Sequence, residues 1–216
     1  MTTDTSLFRL LSFLSPGFPT GGFAYSHGIE YAVESGDITD EHTLAAWLTD
    51  LLDLGSGHND AILLRHAHRA HDHAAIAALA SACAGSSERR AESLAQGAAF
   101  IAAAAAWSMP LARDLPRECP YAVAVGAIAA RCDISEGAGC IGFLQAWSAN
   151  LVNAGLRLIP LGQSAGLRIL ATLEPIAVAR AAATRTSTLD DLGSACFRAD
   201  LASMHHETQY TRLFRT

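Results

Sequence analysis

Leu44, Trp47, Leu48, Leu51 and Leu52 recur at the i, i+3, i+4, i+7, i+8 spacing of a helix with one buried stripe, and Asp40 stands ahead of them as its start. The same reading predicts a short first helix carrying Leu7, Leu10, Leu11 and Leu14. It must stop before Pro16, because the residue ahead of a proline is pushed out of the α region. A second helix is predicted over about 23–35, with Phe23, Tyr25, Ile29, Tyr31 and Val33 as its apolar positions and Gly36 at its end. Gly55 and Gly57 close the third, and Asn59 is placed to cap a helix over about 60–70. Further helices are predicted over about 72–84, from Ser87 to Met109 ahead of Pro110, over 121–131, and from a Ser135 cap to about 159, where Pro160 breaks the pattern. Residues 161–173 and 175–185 read as two separate helices, and 190–207 as one or two short ones leading into a polar tail. No stretch alternates with the period of a strand, and no repeat or linker interrupts the series.

This pattern predicts an all-α fold: one single-domain helical bundle of about ten helices over 1–216, with a distinct tail at about 204–216. Composition agrees. Half of the residues are hydrophobic but only 7% are aromatic, the difference being mostly alanine, which suits helices that approach closely. A formal charge of −6 without a basic stripe argues against nucleic acid. All 15 basic residues are arginine, which removes a phosphate-binding G-x-x-x-x-G-K-[ST] loop, a Schiff-base amine and a carbamylated lysine together. Five scattered cysteines, never in a C-x-x-C pair, suggest buried free thiols in a reducing cytoplasm. No signal peptide is expected. The uncharged run 137–156 carries Gln145, Ser148, Asn150 and Asn153, so it reads as a buried central helix and not as a membrane span.

Four features offer chemistry. His58, His66, His68, His71 and His73 are five of the nine histidines. Helical spacing brings His68 beside His71, weak candidates for a metal, although a stable site needs three or four ligands. Ala24-Tyr25-Ser26-His27-Gly28 has the form of a nucleophile elbow, but a Pro/Gly turn stands where its strand should be. His206-Glu207 begins an H-E-x-x-H zinc motif that Tyr210 fails to complete. The last residues combine Tyr210, Arg212, Leu213, Phe214 and Arg215, types that anchor interfaces, and point to a partner in preference to the chain's own domain. The competing class is an all-α metal-binding protein or enzyme using the His66–His73 cluster.

The most constrained stretch is SPGFPTGGFAYSHGIE, residues 15–30, where Pro16, Pro19, Gly21 and Gly22 punctuate a turn that runs into a helix. Together with RLIPLGQSAG (157–166) and MHHETQYTRLFRT (204–216), it resembles the three ordered signature blocks of the UreF family of urease accessory proteins. Phe18, Thr20, Leu167 and Thr211 depart from that pattern without removing a charge. The resemblance implies an all-α homodimer with no catalytic residues and no cofactor of its own. It would bridge UreD (UreH in some bacteria) and the GTPase UreG while nickel is loaded into the urease apoprotein, with nickel, GTP and Mg²⁺ handled by those partners. It further implies that His206, Glu207, Gln209, Tyr210, Arg212, Leu213 and Phe214 dock UreD. Pro19, Gly22, Tyr25, Ser26 and Glu30 would serve the dimer and the surface shown to UreG.

Overall fold

The computed structural model describes residues 3–107 and 110–216. The long helix predicted to reach Met109, which lies outside them, ends already at Ala104. The described residues form ten α-helices and three short 3₁₀ turns, with no strand. The helices are α1 (Asp4–Phe13), α2 (Ile29–Glu34), α3 (Glu41–Leu54), α4 (Ser56–Arg69), α5 (Ala74–Ala82), α6 (Ser87–Ala104), α7 (Tyr121–Arg131), α8 (Glu136–Leu158), α9 (Gln163–Ala183) and α10 (Phe197–His206). None of them is long and apolar enough to cross a membrane.

The third helix starts as its sequence dictates. Asp40 Oδ1 accepts the Thr43 N–H at 2.8 Å and Thr43 Oγ1 accepts the Asp40 N–H at 3.0 Å, a reciprocal cap that satisfies two otherwise free donors. Its stripe of Leu44, Trp47, Leu48, Leu51 and Leu52 is buried. The uncharged helix α8 is central, packed on by α1, α2, α3, α4, α7 and α9, with Cys140, Phe143, Leu144, Leu151 and Val152 in the core. Arg65 crosses the interior: it is only 3% exposed, donates to Thr184 Oγ1 at 3.1 Å, and also binds Glu136 and the Ala181 carbonyl. One guanidinium thereby ties α4 to the start of α8 and the end of α9.

Three boundaries differ from the periodicity. The fourth helix begins at Ser56, so Gly57 and Asn59 lie inside it, and Asn59 Oδ1 instead accepts the Gly193 N–H at 2.9 Å. The second helix begins only at Ile29, preceded by a 3₁₀ turn at Gly22–Ala24. Pro175 does not divide α9, which runs unbroken through it. The proline lies on the exposed side, while Ile169, Leu173, Ala177 and Ala181 form a buried ridge against α3 and α8. An interior proline costs about 3 kcal/mol, which a four-residue ridge of buried side chains offsets.

Helices α4 and α7 lie so close that a Cβ on Gly126 would stand 2.2 Å from the Leu64 carbonyl oxygen. Gly137, in the first turn of α8, faces open space. Gly126→Ala is therefore expected to lower stability by about 1–3 kcal/mol, and Gly137→Ala to raise it by about 0.5–1 kcal/mol. Paired thermal melts check this; equal effects at the two positions would contradict the close α4–α7 contact.

Candidate functional site

The sequence Ser26-His27-Gly28 reverses the chain. His27 (φ 61°) and Gly28 (φ 79°) are both left-handed, and a Cβ on Gly28 would come within 2.9 Å of the Ser203 nitrogen in α10. That reversal is why α2 cannot begin earlier. Ser26 then caps α2, its carbonyl accepting the Ile29 N–H at 3.1 Å and its Oγ the Glu30 N–H at 3.2 Å.

The chain's last residues dock on this turn. The Thr216 main-chain oxygen accepts the Ser26 N–H at 2.7 Å and the Ser26 hydroxyl at 2.5 Å, and the Arg215 N–H donates to the Ala24 carbonyl at 2.8 Å. Glu30 holds the approach. Its Oε1 accepts the Leu213 N–H at 2.6 Å and its Oε2 the Phe214 N–H at 2.8 Å. The fully buried His206 ring lies between Glu30 Oε2 (3.1 Å from Nε2) and Glu88 Oε2 (2.7 Å from Nδ1). Arg212 donates to Glu88 at 2.8 Å, and the Thr216 hydroxyl donates to Glu92 at 2.8 Å.

The middle block joins them. Arg157 Nη1 donates to the Phe23 carbonyl at 2.6 Å, and its guanidinium lies 4.3 Å above the Phe214 ring, a cation–π contact. Two turns earlier in α8, Asn150 supports the same turn by donating to the Gly22 carbonyl at 3.1 Å. Three stretches that are far apart in the chain thus build one site.

The terminus docks on its own domain, against the preference for a waiting partner, and this sorts the candidate residues into two classes. Tyr25, Ser26, Glu30, His206 and Phe214 are buried and shape the site from within. Pro19, Glu207, Arg212, Leu213 and Tyr210 are exposed, Tyr210 completely, with Gly22 and Gln209 between. Glu207 accepts the Ser87 N–H at 3.2 Å and Gln209 donates to Glu34. Ser26 is no exposed nucleophile, since its hydroxyl is committed to Thr216. The histidine cluster diverges: His58, His66, His68 and His73 each point a ring nitrogen at a different carbonyl, those of Asp191, Ser187, Ile134 and Ala67, and His71 is exposed. Among the described residues no three His, Cys, Asp or Glu side chains are grouped to hold a metal ion. Glu88, Arg89 and Glu92 of α6 went unrecognised as site residues. Their signal was three charges on one face of an otherwise alanine-rich helix.

Beside the Ser26–Gly28 turn lies a cleft of about 80 Å³, whose lining includes His27, Ser56, Asp60, Arg89, Asp200 and Ser203. His27 Nε2 is 2.6 Å from Ser56 Oγ, and Nδ1 lies 3.8 Å from Glu92. Burial, the largest single influence, would raise the Glu92 carboxyl, but the paired Arg89 guanidinium and the His27 ring together outweigh it and carry the group down to about 2. Burial, reinforced by Arg89, lowers His27 from 6.5 to about 4. Asp60 goes the other way, pushed up by burial to about 6. The folded value of His27 lies below the unfolded one, so the unfolded chain takes up that proton first. Stability carried by neutral His27 is complete above pH 6.5 and is lost as the pH falls toward 4, by about 1.4 kcal/mol per unit. Asp60, raised on folding, works in the opposite sense as the pH falls below about 6, so only a difference measurement isolates His27. Against His27→Asn, which tolerates the left-handed backbone, the wild-type chain is expected to lose stability selectively between pH 6.5 and 4 in denaturant titrations. A pH-independent difference would show that the imidazole is not held neutral.

The family model named UreF matches residues 38–174 of the chain. The urease accessory protein UreF of Mesorhizobium japonicum is 51% identical over 218 residues, covering 99% of this chain and 98% of that protein. Its counterpart from Bradyrhizobium sp. strain BTAi1 is 49% identical, covering 98% and 92%. The urease accessory protein UreF 1 of Brucella anthropi is 45% identical, covering 99% and 96%. With the signature blocks gathered into one site and relatives this similar along nearly its whole length, the chain belongs to the UreF family of urease accessory proteins.

Proposed function

We propose that this chain is a non-catalytic scaffold of urease maturation, bridging UreD/UreH and the GTPase UreG while nickel is delivered to the urease apoprotein in the cytoplasm. The observation that carries this reading is the docked terminus. Buried Glu30, His206 and Phe214 hold the tail in one conformation, so that Tyr210, Arg212 and Leu213 are presented outward on a preorganised surface. Preorganisation spares a partner the entropy of ordering that segment, and aromatic, arginine and leucine side chains are suitable anchors. Nickel, GTP and Mg²⁺ are assigned to the partners. The scaffold contributes effective concentration, holding the metal-bearing GTPase beside its target.

A homodimer is part of the same proposal, and one face suits it. An apolar trench of about 460 Å³ between α8 and α9 is lined by Ile141, Leu170 and Ala177, and by Leu167 and Val178, which are 69% and 52% exposed. Leu167 and Val178 are three helical turns apart on one face of α9. An antiparallel pairing of α9 with that of a second copy would set each leucine against the other copy's valine, the self-complementary geometry of a two-fold dimer.

Two expected outcomes follow. Co-expression with UreD and UreG, read by size-exclusion chromatography, should give a three-protein peak from which Tyr210→Ala/Leu213→Ser loses UreD while its own melting temperature is kept. Retention of UreD by that variant would sink the assignment of the tail. In sedimentation velocity, Leu167→Asp should turn a dimer into a monomer, and an unchanged mass would move the dimer contact to another face.

A further inference from the structure

The cleft beside the Ser26–Gly28 turn is walled by separate stretches of the chain: the turn itself, the start of α4, the residues after α5, the start of α6, and α10. Its space of about 80 Å³ is several times the ~10–15 Å³ that one water molecule needs, and hydroxyls of Ser56, Ser93, Ser194 and Ser203 stand in its walls. A cleft this large and this polar does not stay empty.

Most of the polar groups around it are satisfied by the chain. Arg89 is ion-paired with Glu92, which also accepts from Gln96 and from the Thr216 hydroxyl. Ser203 pairs with Ser86, Ser93 accepts the Tyr121 N–H, and Asp200 accepts the Ser194 hydroxyl at 3.2 Å. Two groups are left over. The mostly buried Asp60 carboxylate has no hydrogen bond and no ion pair among the described residues. The His27 ring, 3% exposed, makes no hydrogen bond at Nδ1. A carboxylate withdrawn from water needs donors in place of its hydration, and here the occupant of the cleft must bring them.

The wall narrows what that occupant can be. An anion would meet Asp60 and Asp200 where the one guanidinium is already neutralised by Glu92. A divalent metal ion needs several ligands together, and no three His, Cys, Asp or Glu side chains are so grouped among the described residues. An apolar molecule would leave the buried polar groups without partners. We propose that this cleft binds a small primary ammonium ion, with Asp60 as its counter-charge and the serine hydroxyls, which have lone pairs to spare, as further acceptors. The site is separate from Tyr210 and Leu213 and from the trench between α8 and α9, and it does not rest on the scaffold reading.

Protons compete for the same carboxylate. Burial raises Asp60 to about 6, opposed by Arg89 and reinforced by Glu92. His27 is held down at about 4 and Glu92 at about 2, and burial pushes Tyr121 of α7 further up, so none of these three changes charge between about pH 5 and 7.5. Arg89, Asp200 and Cys83 are the other ionisable groups of the wall. A cation bound to ionised Asp60 therefore loses affinity as the pH falls through about 6 and keeps it above.

The test is isothermal titration of the full-length chain with methylammonium chloride, at an ionic strength held constant with sodium chloride. Saturable binding is expected at pH 7.5. It should be about tenfold weaker at pH 5, and at least about tenfold weaker for tetramethylammonium, which has the charge but no N–H. Asp60→Asn, close in shape, should weaken methylammonium at least about tenfold, abolish the pH dependence and leave the melting temperature unchanged or higher. The wild-type chain alone decides the matter even if that variant does not fold: no saturable binding, an affinity that ignores pH, or equal binding of tetramethylammonium overturns the proposal. So does potassium chloride binding as tightly as methylammonium, which would make the cleft a metal-cation site, and so does a folded Asp60→Asn variant that binds unchanged.

Discussion

The structure depends on a carboxylate that has been taken out of water. Glu30 is 7% exposed, and a buried carboxylate is destabilising by several kcal/mol unless donors replace its hydration. Its replacements come from the opposite end of the chain: the Leu213 and Phe214 N–H groups and the ring of His206. Hydrogen bonds to a charged acceptor contribute about 1.5–3 kcal/mol each, enough to offset the burial only when they act together. The N-terminal turn and the terminus are therefore each incomplete without the other. The contact of Ser26 with Thr216 spans 190 positions of sequence, so the site closes only when the helical body between them is in place.

That body supplies the geometry through α8. Asn150 and Arg157 lie seven residues apart on one face of the central helix and hold the carbonyls of Gly22 and Phe23. Gly22 and Phe23 of the turn thus serve a contact with α8, which ties the turn that receives the terminus to the core. In the proposed scaffold role this arrangement would favour binding, because a segment that is already ordered loses little freedom when a partner docks on it.

How much of this was legible in the sequence depends on the range of the forces involved. The buried stripe of α3, its Asp40 cap, the bounds of α7 and the Ser135 start of α8 are set within a turn or two, and hydrophobic periodicity reads them. The start of α2 is not set locally. Gly28 is left-handed where Ser203 of α10 approaches it, a neighbour that no window of sequence contains. Pro175 is a local signal to stop, overridden by a ridge that packs on α3 and α8. The signature blocks identified Ser26, Glu30 and Phe214 as important, but not as buried, because burial follows from which stretch meets which. The histidines were loud in the sequence and silent as a group, since helical spacing says nothing about the carbonyls that each ring meets.

The absence of lysine, at first useful only for what it ruled out, has a structural reading as well. Arg168 binds Glu41 through two nitrogens at 2.8 and 2.6 Å, and Arg69 binds Glu136 through two at 2.6 Å each. Arg65 reaches a hydroxyl, a carbonyl and a carboxylate from one buried position. Each use needs a planar group with several donors at fixed angles, which an ammonium on a flexible stem does not offer. Arg157 makes the point at the site itself. Its guanidinium donates in its own plane to Phe23 while its face covers Phe214, so one side chain joins the N-terminal turn to the terminus from the central helix. An ammonium has no face to lay on the ring while it donates to the carbonyl, and the three stretches would lose the residue that touches all of them.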